Sequence, residues 1–379
     1  MKIIHTITTL SLLIIVFQSY CFLDITQHGL EQYQDIIINN QVVKPATHNH
    51  KDCNTRYQII RTILDKYTRP FTMLDLGASQ GYYSFRGAWD YKDSTFVMIE
   101  GNNPAYPHTG TQLLQLCEEN TELNNIVHLN KMIIPSDIQK LSDCEHFDVV
   151  LVLNIVHWFK PHWKTLLNSI LELGDNIIIE TPPQESICSP QENQLRQQII
   201  NCLLEHNSIS IGSVPRHTSA QSVSQLYWVQ GTKKYLKKRN WITPRINNNT
   251  HRIESSFSEK KLIKKADSPP NTTITSTWHP GINLMTFKMY NGAFPMNNTI
   301  QESIKQLKDV PSNDWMPNNM IIQGNKIVLI DCDDPNHNPG GLGGGRRYSD
   351  LLINRILEWI NITNPLEVEK YFWNRIVQL

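Results

Sequence analysis

The sequence carries no surplus of either charge sign, and this absence narrows the kinds of partner that we expect. Lysine and arginine together number 35, aspartate and glutamate together also number 35, and the formal net charge of the 379 residues is zero. A protein that binds nucleic acid without sequence preference normally carries a basic surplus to neutralise phosphates. The composition therefore gives no strong nucleic-acid signal, and the basic stretch 233–239 is typical of a solvated helix face.

Paired cysteines are also missing. The seven cysteines are scattered, and none belongs to a CxxC pair or to a Cys/His cluster with the spacing of a zinc site. An odd number at wide intervals does not suit a disulfide framework. We therefore expect free thiols, as in a reducing compartment, and no metal site.

The first 22 residues point to a different compartment. Met1 and Lys2 precede an apolar run from Ile3 to Phe17, and the small residues Ser19 and Cys21 could flank a cleavage site. This pattern favours a secretory signal peptide, with an uncleaved membrane anchor and a buried first helix as alternatives. We expect a protein of the secretory pathway or one associated with a membrane through this segment. Anchoring of a protein that faces the cytosol would reconcile the segment with free thiols.

The rest of the chain divides into three stretches. Residues 23–53 form a polar lead-in segment, and from 54 to 183 short apolar runs alternate with stretches of helical periodicity. Continuous apolar strands that alternate with helices predict a doubly wound, mostly parallel α/β sheet. Residues 184–379 predict an α+β substrate or accessory domain, with helices at 191–205, 222–239 and 351–360, and a hairpin at 321–331.

The first predicted strand of the α/β stretch ends in a glycine loop, Leu74-Asp75-Leu76-Gly77-Ala78-Ser79-Gln80-Gly81. Gly77 would let the chain turn tightly at the end of the strand, and Gly81 would bring the backbone close to a ligand at the start of a helix. Asp75 can organise the loop amides or reach an amino group of the ligand through water. Glu100 closes the second strand, where its two carboxylate oxygens can accept both ribose hydroxyls of an adenosine.

This pattern resembles class I S-adenosylmethionine-dependent methyltransferases over residues 54–183. The resemblance implies a Rossmann-like fold, S-adenosylmethionine as the cofactor and methyl transfer as the activity. It also implies that Gly77 and Gly81, with Ala78 and Ser79 between them, line the methionine part of the cofactor. The matching residues are Met73-Leu74-Asp75-Leu76-Gly77-Ala78-Ser79-Gln80-Gly81-Tyr82-Tyr83-Ser84, Val97-Met98-Ile99-Glu100, and Phe147-Asp148-Val149-Val150-Leu151-Val152-Leu153-Asn154-Ile155-Val156-His157-Trp158.

By the same resemblance, Glu100 binds the ribose and Asn154 forms the far lip of the pocket. The chain departs from the family after its third strand, where Asn130 stands in place of the acid that often lies beside the adenine. A dehydrogenase is the competing use of a glycine loop, but such enzymes usually have a glycine two residues after the first, and here that residue is Ser79. A Rossmann domain that binds no cofactor remains an alternative.

Two residues after the fourth predicted strand are candidates for catalysis. His157 can act as a general base, and Asn154 lies at the lip where an acceptor would enter. The alternative for His157 is a residue that packs against or caps the following helix. Nothing in the sequence identifies the methyl acceptor, and a non-catalytic binding protein on the same fold remains open.

The C-terminal stretch shows a weak resemblance to kinase-like phosphotransferases between residues 314 and 331. Asp314, Asn319 and Asp331 match the positions at which such enzymes orient a hydroxyl and hold magnesium. The His and Arg that usually precede the first aspartate are absent, because Ser312 and Asn313 stand there. A methyltransferase fused to a kinase-like domain is therefore a further alternative.

Overall fold

The computed structural model describes residues 34–46, 53–102, 104, 107–181, 189–215, 223–232, 235–237, 250–265, 273–291, 298–307, 317–329, 349–371 and 374. The predicted signal or anchor segment, residues 1–22, lies outside these ranges. Within them, no helix has both the length and the hydrophobicity that crossing a membrane requires.

The described part of the lead-in segment is a short antiparallel hairpin. Its strands are β1 (Ile36–Ile38) and β2 (Gln41–Lys44), and Ile37 pairs with Val42. Ile36 and Ile37 are each only 1% exposed and belong to the core beneath the main sheet. The segment is therefore part of the folded α/β unit.

A seven-stranded sheet forms the centre of the molecule. Its strands are β3 (Thr72–Leu76), β4 (Thr95–Ile99), β5 (Ile126–Leu129), β6 (Phe147–Leu153), β7 (Gly174–Thr181), β8 (Ile209–Pro215) and β9 (Val223–Gln230). The spatial order is β5-β4-β3-β6-β7-β9-β8, in which β3 to β7 are parallel and β9 runs antiparallel between β7 and β8. The chain winds outward in both directions from the β3–β6 pair, which is the topological switch point where ligands of such sheets bind.

Helices cover both faces of this sheet and bury two hydrophobic layers. One face carries α1 (Cys53–Leu64), α2 (Tyr82–Asp90) and α3 (Thr109–Glu119), and the other carries α4 (Pro135–Cys144), α5 (Trp163–Leu171) and α6 (Pro190–Glu205). The side chains of β3 alternate between the two layers, with Met73 in the first and Leu74 in the second. This arrangement confirms the predicted doubly wound, Rossmann-like α/β fold.

One sequence-based assignment at the end of this unit is wrong. The helix predicted at 222–239 is strand β9 followed by a further strand, because Leu226 is buried in one layer and Val229 in the other, as a strand between two neighbours requires. The sheet therefore continues past residue 183. Helix α5 ends at its C-cap Glu172, and Gly174 begins β7. A Cβ on Gly174 would lie 2.8 Å from the carbonyl oxygen of Phe147.

The C-terminal stretch has the expected α+β character. An antiparallel sheet contains β10 (Tyr235–Lys237), β11 (Thr250–Ser255), β12 (Lys260–Lys265) and β13 (Thr273–Thr277), and a smaller one contains β14 (Ile282–Asn283), β15 (Met320–Gln323) and β16 (Lys326–Leu329). The helices are α7 (Leu284–Asn291), α8 (Asn298–Gln306), α9 (Ser349–Ile360) and α10 (Pro365–Tyr371). The predicted hairpin and the helix predicted at 351–360 are both confirmed.

A buried ionic cluster joins this region to the amino ends of the main strands. Lys260 Nζ lies 3.2 Å from Asp148 Oδ1 and 3.2 Å from Asp175 Oδ2, and the Lys260 side chain is fully buried. Arg69 donates a second hydrogen bond, of 2.7 Å, to Asp148. Because unpaired charges are costly to bury, this cluster holds β12 firmly against the sheet, at the end opposite the glycine loop.

Candidate functional site

The glycine loop lies at the carboxyl end of β3, beside the switch point. Gly77, Ser79 and Gly81 adopt left-handed backbone conformations, with φ values of 79°, 54° and 75°. The amides of Gly77 and Ala78 donate to the carbonyl oxygen of Ile99, at 2.9 and 3.3 Å. These two N–H groups therefore tie the loop to the end of β4.

Both glycines are also required by close packing. A Cβ on Gly77 would lie 3.0 Å from Ile155 Cγ2, and a Cβ on Gly81 would lie 2.7 Å from Phe85 Cε2 and 2.8 Å from Leu113 Cδ1. At either position, the Cβ of any other residue would clash with these neighbours, and its left-handed backbone conformation would be strained. The loop is consequently held in one shape by the protein itself.

Glu100, just after β4, is joined directly to the loop. Its Oε2 accepts a hydrogen bond of 2.9 Å from the Ser79 amide, and its Oε1 accepts one of 3.2 Å from the Thr109 hydroxyl. Burial raises the pKa of Glu100, while the hydrogen bonds from Ser79 and Thr109 oppose the rise. Each carboxylate oxygen has a second lone pair, so both can still accept from a ligand.

Asp75 lies beneath the loop. Its side chain is 2% exposed and accepts a hydrogen bond of 3.0 Å from the Ser84 hydroxyl on α2. Burial raises the pKa of Asp75 to about 7, and the nearby charge of Glu100 adds to the rise. The residue supports the loop from below, and its contact with a ligand stays a prediction.

Asn154 follows β6 on the other side of the switch point. Its backbone has a φ of 59°, and its amide donates to the carbonyl oxygen of Glu180 at 3.0 Å. Its Oδ1 is buried and has no hydrogen-bond partner among the described residues. His157 lies on the short 3-10 turn Val156–Trp158, with its ring 5.1 Å from that of Trp158, which is 72% exposed.

The lead-in segment contributes a residue that the sequence did not reveal. Gln34 Oε1 accepts a hydrogen bond of 2.9 Å from the Tyr82 amide and so caps α2, which lacks a side-chain cap at Gly81. The Gln34 amide donates in turn to Gln80 Oε1 at 3.2 Å. No local pattern marks a cap that lies so far away in the chain, so only the folded structure could show it.

A buried ion pair at the end of β7 was also missed. Arg56 on α1 donates through Nε to Glu180 Oε2 at 2.9 Å and through a terminal nitrogen to Oε1 at 3.1 Å. Both side chains are at most 4% exposed. Burial lowers the pKa of Arg56, but the Tyr83 phenol and the Glu180 carboxylate outweigh that effect and raise it. The pair fixes the strand end whose carbonyl holds Asn154.

The unsatisfied polar atoms at this edge suit an adenosine-containing cofactor. Asn130 Nδ2, after β5, is a buried donor, and Asn154 Oδ1 is a buried acceptor, and neither has a partner among the described residues. Such atoms cost about 1–3 kcal/mol each unless a ligand satisfies them. Asn130 Nδ2 is a free donor, and Glu100 and Asn154 Oδ1 offer acceptors at the ends of β4 and β6. S-adenosylmethionine carries both donors and acceptors, so these atoms fit such a cofactor. No group of acids, histidines and cysteines among the described residues could hold a metal ion.

No family model and no curated protein matches the chain. Solved structures with which it aligns include the bifunctional kinase-methyltransferase WbdD, at 16% identity over 91% of this chain and 92% of that one, with a TM-score of 0.39. The N-terminal domain of EvdMO1 with SAH bound aligns at 13% identity over 46% of this chain and 81% of that one, with a TM-score of 0.34. An O-methyltransferase family protein from Burkholderia thailandensis aligns at 12% identity over 47% and 58%, with a TM-score of 0.33.

The sheet itself defines the fold. Five parallel strands wind outward from the switch point, helices cover both faces, and a glycine loop tied to an acid lies at the carboxyl edge. These features are those of a doubly wound, Rossmann-like α/β fold.

Proposed function

We propose that the chain is an S-adenosylmethionine-dependent methyltransferase. The observation that carries the proposal is the Glu100 carboxylate, which the Ser79 amide holds at 2.9 Å beside the glycine loop and the switch point. A doubly wound sheet binds its ligand at this place. An acid that is fixed there and retains free lone pairs is the group expected to bind two ribose hydroxyls.

The remaining predicted residues follow the neighbouring strands β3 and β6 at the same edge of the sheet. Gly77 and Gly81 shape the loop that would hold the methionine part, and Asn154 Oδ1 supplies the free acceptor on the opposite side. When bound, S-adenosylmethionine supplies a methyl group that is already activated by a positive sulfur. The protein then has mainly to orient the acceptor, exclude water and accept a proton.

His157 is the proposed base for that proton. It lies three residues beyond Asn154, on the short turn that follows β6, and the exposed ring of Trp158 beside it offers an acceptor a flat surface. His157→Gln should lower the turnover rate without changing the affinity for the cofactor. Loss of the low-pH limb of the rate profile would separate a base from a residue that only packs.

The test is transfer of a labelled methyl group. Wild-type protein is incubated with methyl-labelled S-adenosylmethionine and separate pools of lipid, protein, RNA and small molecules. We expect label in one pool, and about tenfold less label at a sub-saturating cofactor concentration when Glu100→Gln replaces the wild type, whereas the exposed Glu122→Gln should behave as wild type. Binding of the cofactor with no transfer to any pool would favour the alternative, a binding protein on this fold.

A kinase-like activity of the C-terminal region is a second candidate. Strands β15 and β16 form the predicted hairpin, in which Met320 pairs with Leu329. The first and last residues of the hairpin therefore lie side by side. Asn319, which is 6% exposed, directly precedes the hairpin, and Asp331 follows it in the sequence. Amide and carboxylate oxygens at such positions suit magnesium. Asp314 and Asp331 lie outside the described residues.

Nucleotide binding tests this second candidate. Calorimetry with ATP should show binding that requires magnesium, and Asp331→Asn should abolish it while binding of S-adenosylhomocysteine stays unchanged. Magnesium-independent binding, or binding that survives the substitution, would contradict a kinase-like site.

A further inference from the structure

Gln34, two residues before β1, contacts the glycine loop on both sides of Gly81. Its backbone amide donates to Gln80 Oε1 at 3.2 Å, and its side-chain Oε1 accepts from the Tyr82 amide at 2.9 Å. The Gln80 side chain is buried. Gln34 is therefore joined both to a side chain of the loop and to the first amide of α2.

The contact with Gln80 continues through Ser79 to Glu100. The Ser79 hydroxyl donates to the same Gln80 Oε1 at 2.8 Å, and the Ser79 amide donates to Glu100 Oε2 at 2.9 Å. Three hydrogen bonds thus connect the Gln34 amide with the Glu100 carboxylate. We call the two that meet at Gln80 Oε1, from the Gln34 amide and the Ser79 hydroxyl, the loop tether.

The backbone of Ser79 gives the loop tether a purpose. Ser79 has a φ of 54°, in the left-handed region that a residue with a Cβ rarely adopts. Such a conformation persists only where the surrounding contacts fix it. The hydroxyl is fixed by Gln80 and the amide by Glu100. Release of the hydroxyl should therefore let Ser79 relax and turn its amide away from Glu100.

The lead-in segment is fixed to the α/β unit by contacts outside the loop. Ile36 and Ile37 are buried in the core beneath the sheet. Asn120, just after α3, accepts from the Asn39 amide at 2.9 Å and donates to the Ile37 carbonyl oxygen at 3.0 Å. The backbone next to Gln34 thus has its own anchors, and the Gln34 amide can hold the loop in place.

We infer that Gln34 is a positioning residue for the cofactor, because it fixes Gln80 and Ser79 in the arrangement that holds the Glu100 carboxylate for the ribose. The inference rests on the proposed function. It makes the lead-in segment, which lies before residues 54–183, a part of the cofactor site.

Calorimetry with S-adenosylhomocysteine tests this role in the full chain. Gln34→Pro removes both the amide donor and the side-chain acceptor, and it should weaken binding about tenfold. Gln34→Ala keeps the amide and loses only the cap on Tyr82, so the loss should be about threefold. Gln80→Met removes the shared acceptor and should weaken binding about tenfold. The double variant of Gln34→Pro and Gln80→Met should bind as Gln34→Pro does, because both changes break the same tether.

Hydrogen exchange at the Ser79 amide is a second measurement, made without ligand. Glu100 protects this amide in the wild type, and Gln34→Pro should speed its exchange about tenfold. Asn120→Ala is the matched control, because it removes two contacts of the same segment on the side away from the loop. It should lower thermal stability and leave both the affinity and the exchange at Ser79 as in the wild type.

The outcomes separate the two claims. If Gln34→Pro binds S-adenosylhomocysteine as the wild type does, if its loss and that of Gln80→Met simply add, or if Asn120→Ala causes the same loss, the positioning role is refuted and the cofactor site stands. Should Gln34→Pro fail to fold, wild-type affinity in Gln80→Met refutes the role instead. If the wild-type protein does not bind the ligand, the proposed function is refuted, and the role of Gln34 at the cofactor falls with it.

Discussion

Replacement of Asp75 by asparagine should change how the stability of the protein depends on pH. Burial raises the pKa of Asp75 from 3.8 to about 7, so the folded chain holds this proton more tightly than the unfolded chain does. The resulting stability is fully present below about pH 4 and is lost as the pH rises through about 7. Between about pH 5 and pH 8 the loss amounts to about 3 kcal/mol of unfolding free energy.

Asp75→Asn cannot ionise, so this loss should disappear from the variant. The amide has its own cost in the buried site, but that cost is the same at both pH values and cancels when they are compared. Urea unfolding of both proteins at about pH 5 and about pH 8 measures the difference. The exposed Asp93→Asn is the control and should keep the wild-type pH dependence. If Asp75→Asn also shows the wild-type pH dependence of unfolding free energy, Asp75 is ionised across this pH range. The claim that Asp75 is a neutral acid beneath the loop is then wrong.

Three further substitutions test the buried contacts. Arg56→Met should lower the unfolding free energy by about 3–5 kcal/mol because it leaves Glu180 buried and unpaired, and a double variant with Glu180→Met should recover most of this in urea unfolding. Equal losses in the single and double variants would rule that explanation out. Gln34→Ala should cost about 1 kcal/mol because Tyr82 loses its cap, and no change in thermal stability would show that the cap is replaced by water. Lys260→Met should cost about 3 kcal/mol in the same assay, and a neutral result would mean that the charge cluster does not hold the C-terminal region to the sheet.

The sequence predicted the parallel part of the fold because its strands are buried on both faces. The runs at 126–129 and 147–154 are mostly apolar, and they became β5 and β6 with almost the same bounds. Strand β9 was mistaken for a helix because it lies between two antiparallel neighbours and mixes polar with aromatic residues. Its assignment depends on partners that are distant in the chain.

The candidate site was predictable to the extent that its groups lie on the glycine loop and the strand ends. Gly77 and Glu100 follow such a pattern, and the structure brings them together through the Ser79 amide. Gln34 and Arg56 could not be found this way, since each makes its contact across a long separation in sequence. The roles of Asn154 and His157 in catalysis, and the signal or anchor role of residues 1–22, stay predictions.

Binding of S-adenosylhomocysteine to the purified chain tests the central claim most directly. Calorimetry should show one site per chain. Glu100→Gln should weaken binding about tenfold or more, because the ribose hydroxyls lose a charged acceptor, while the exposed Glu122→Gln should bind as the wild type does. Absence of binding to the wild-type protein, or equal binding by wild type and Glu100→Gln, would contradict a methyltransferase site at the glycine loop.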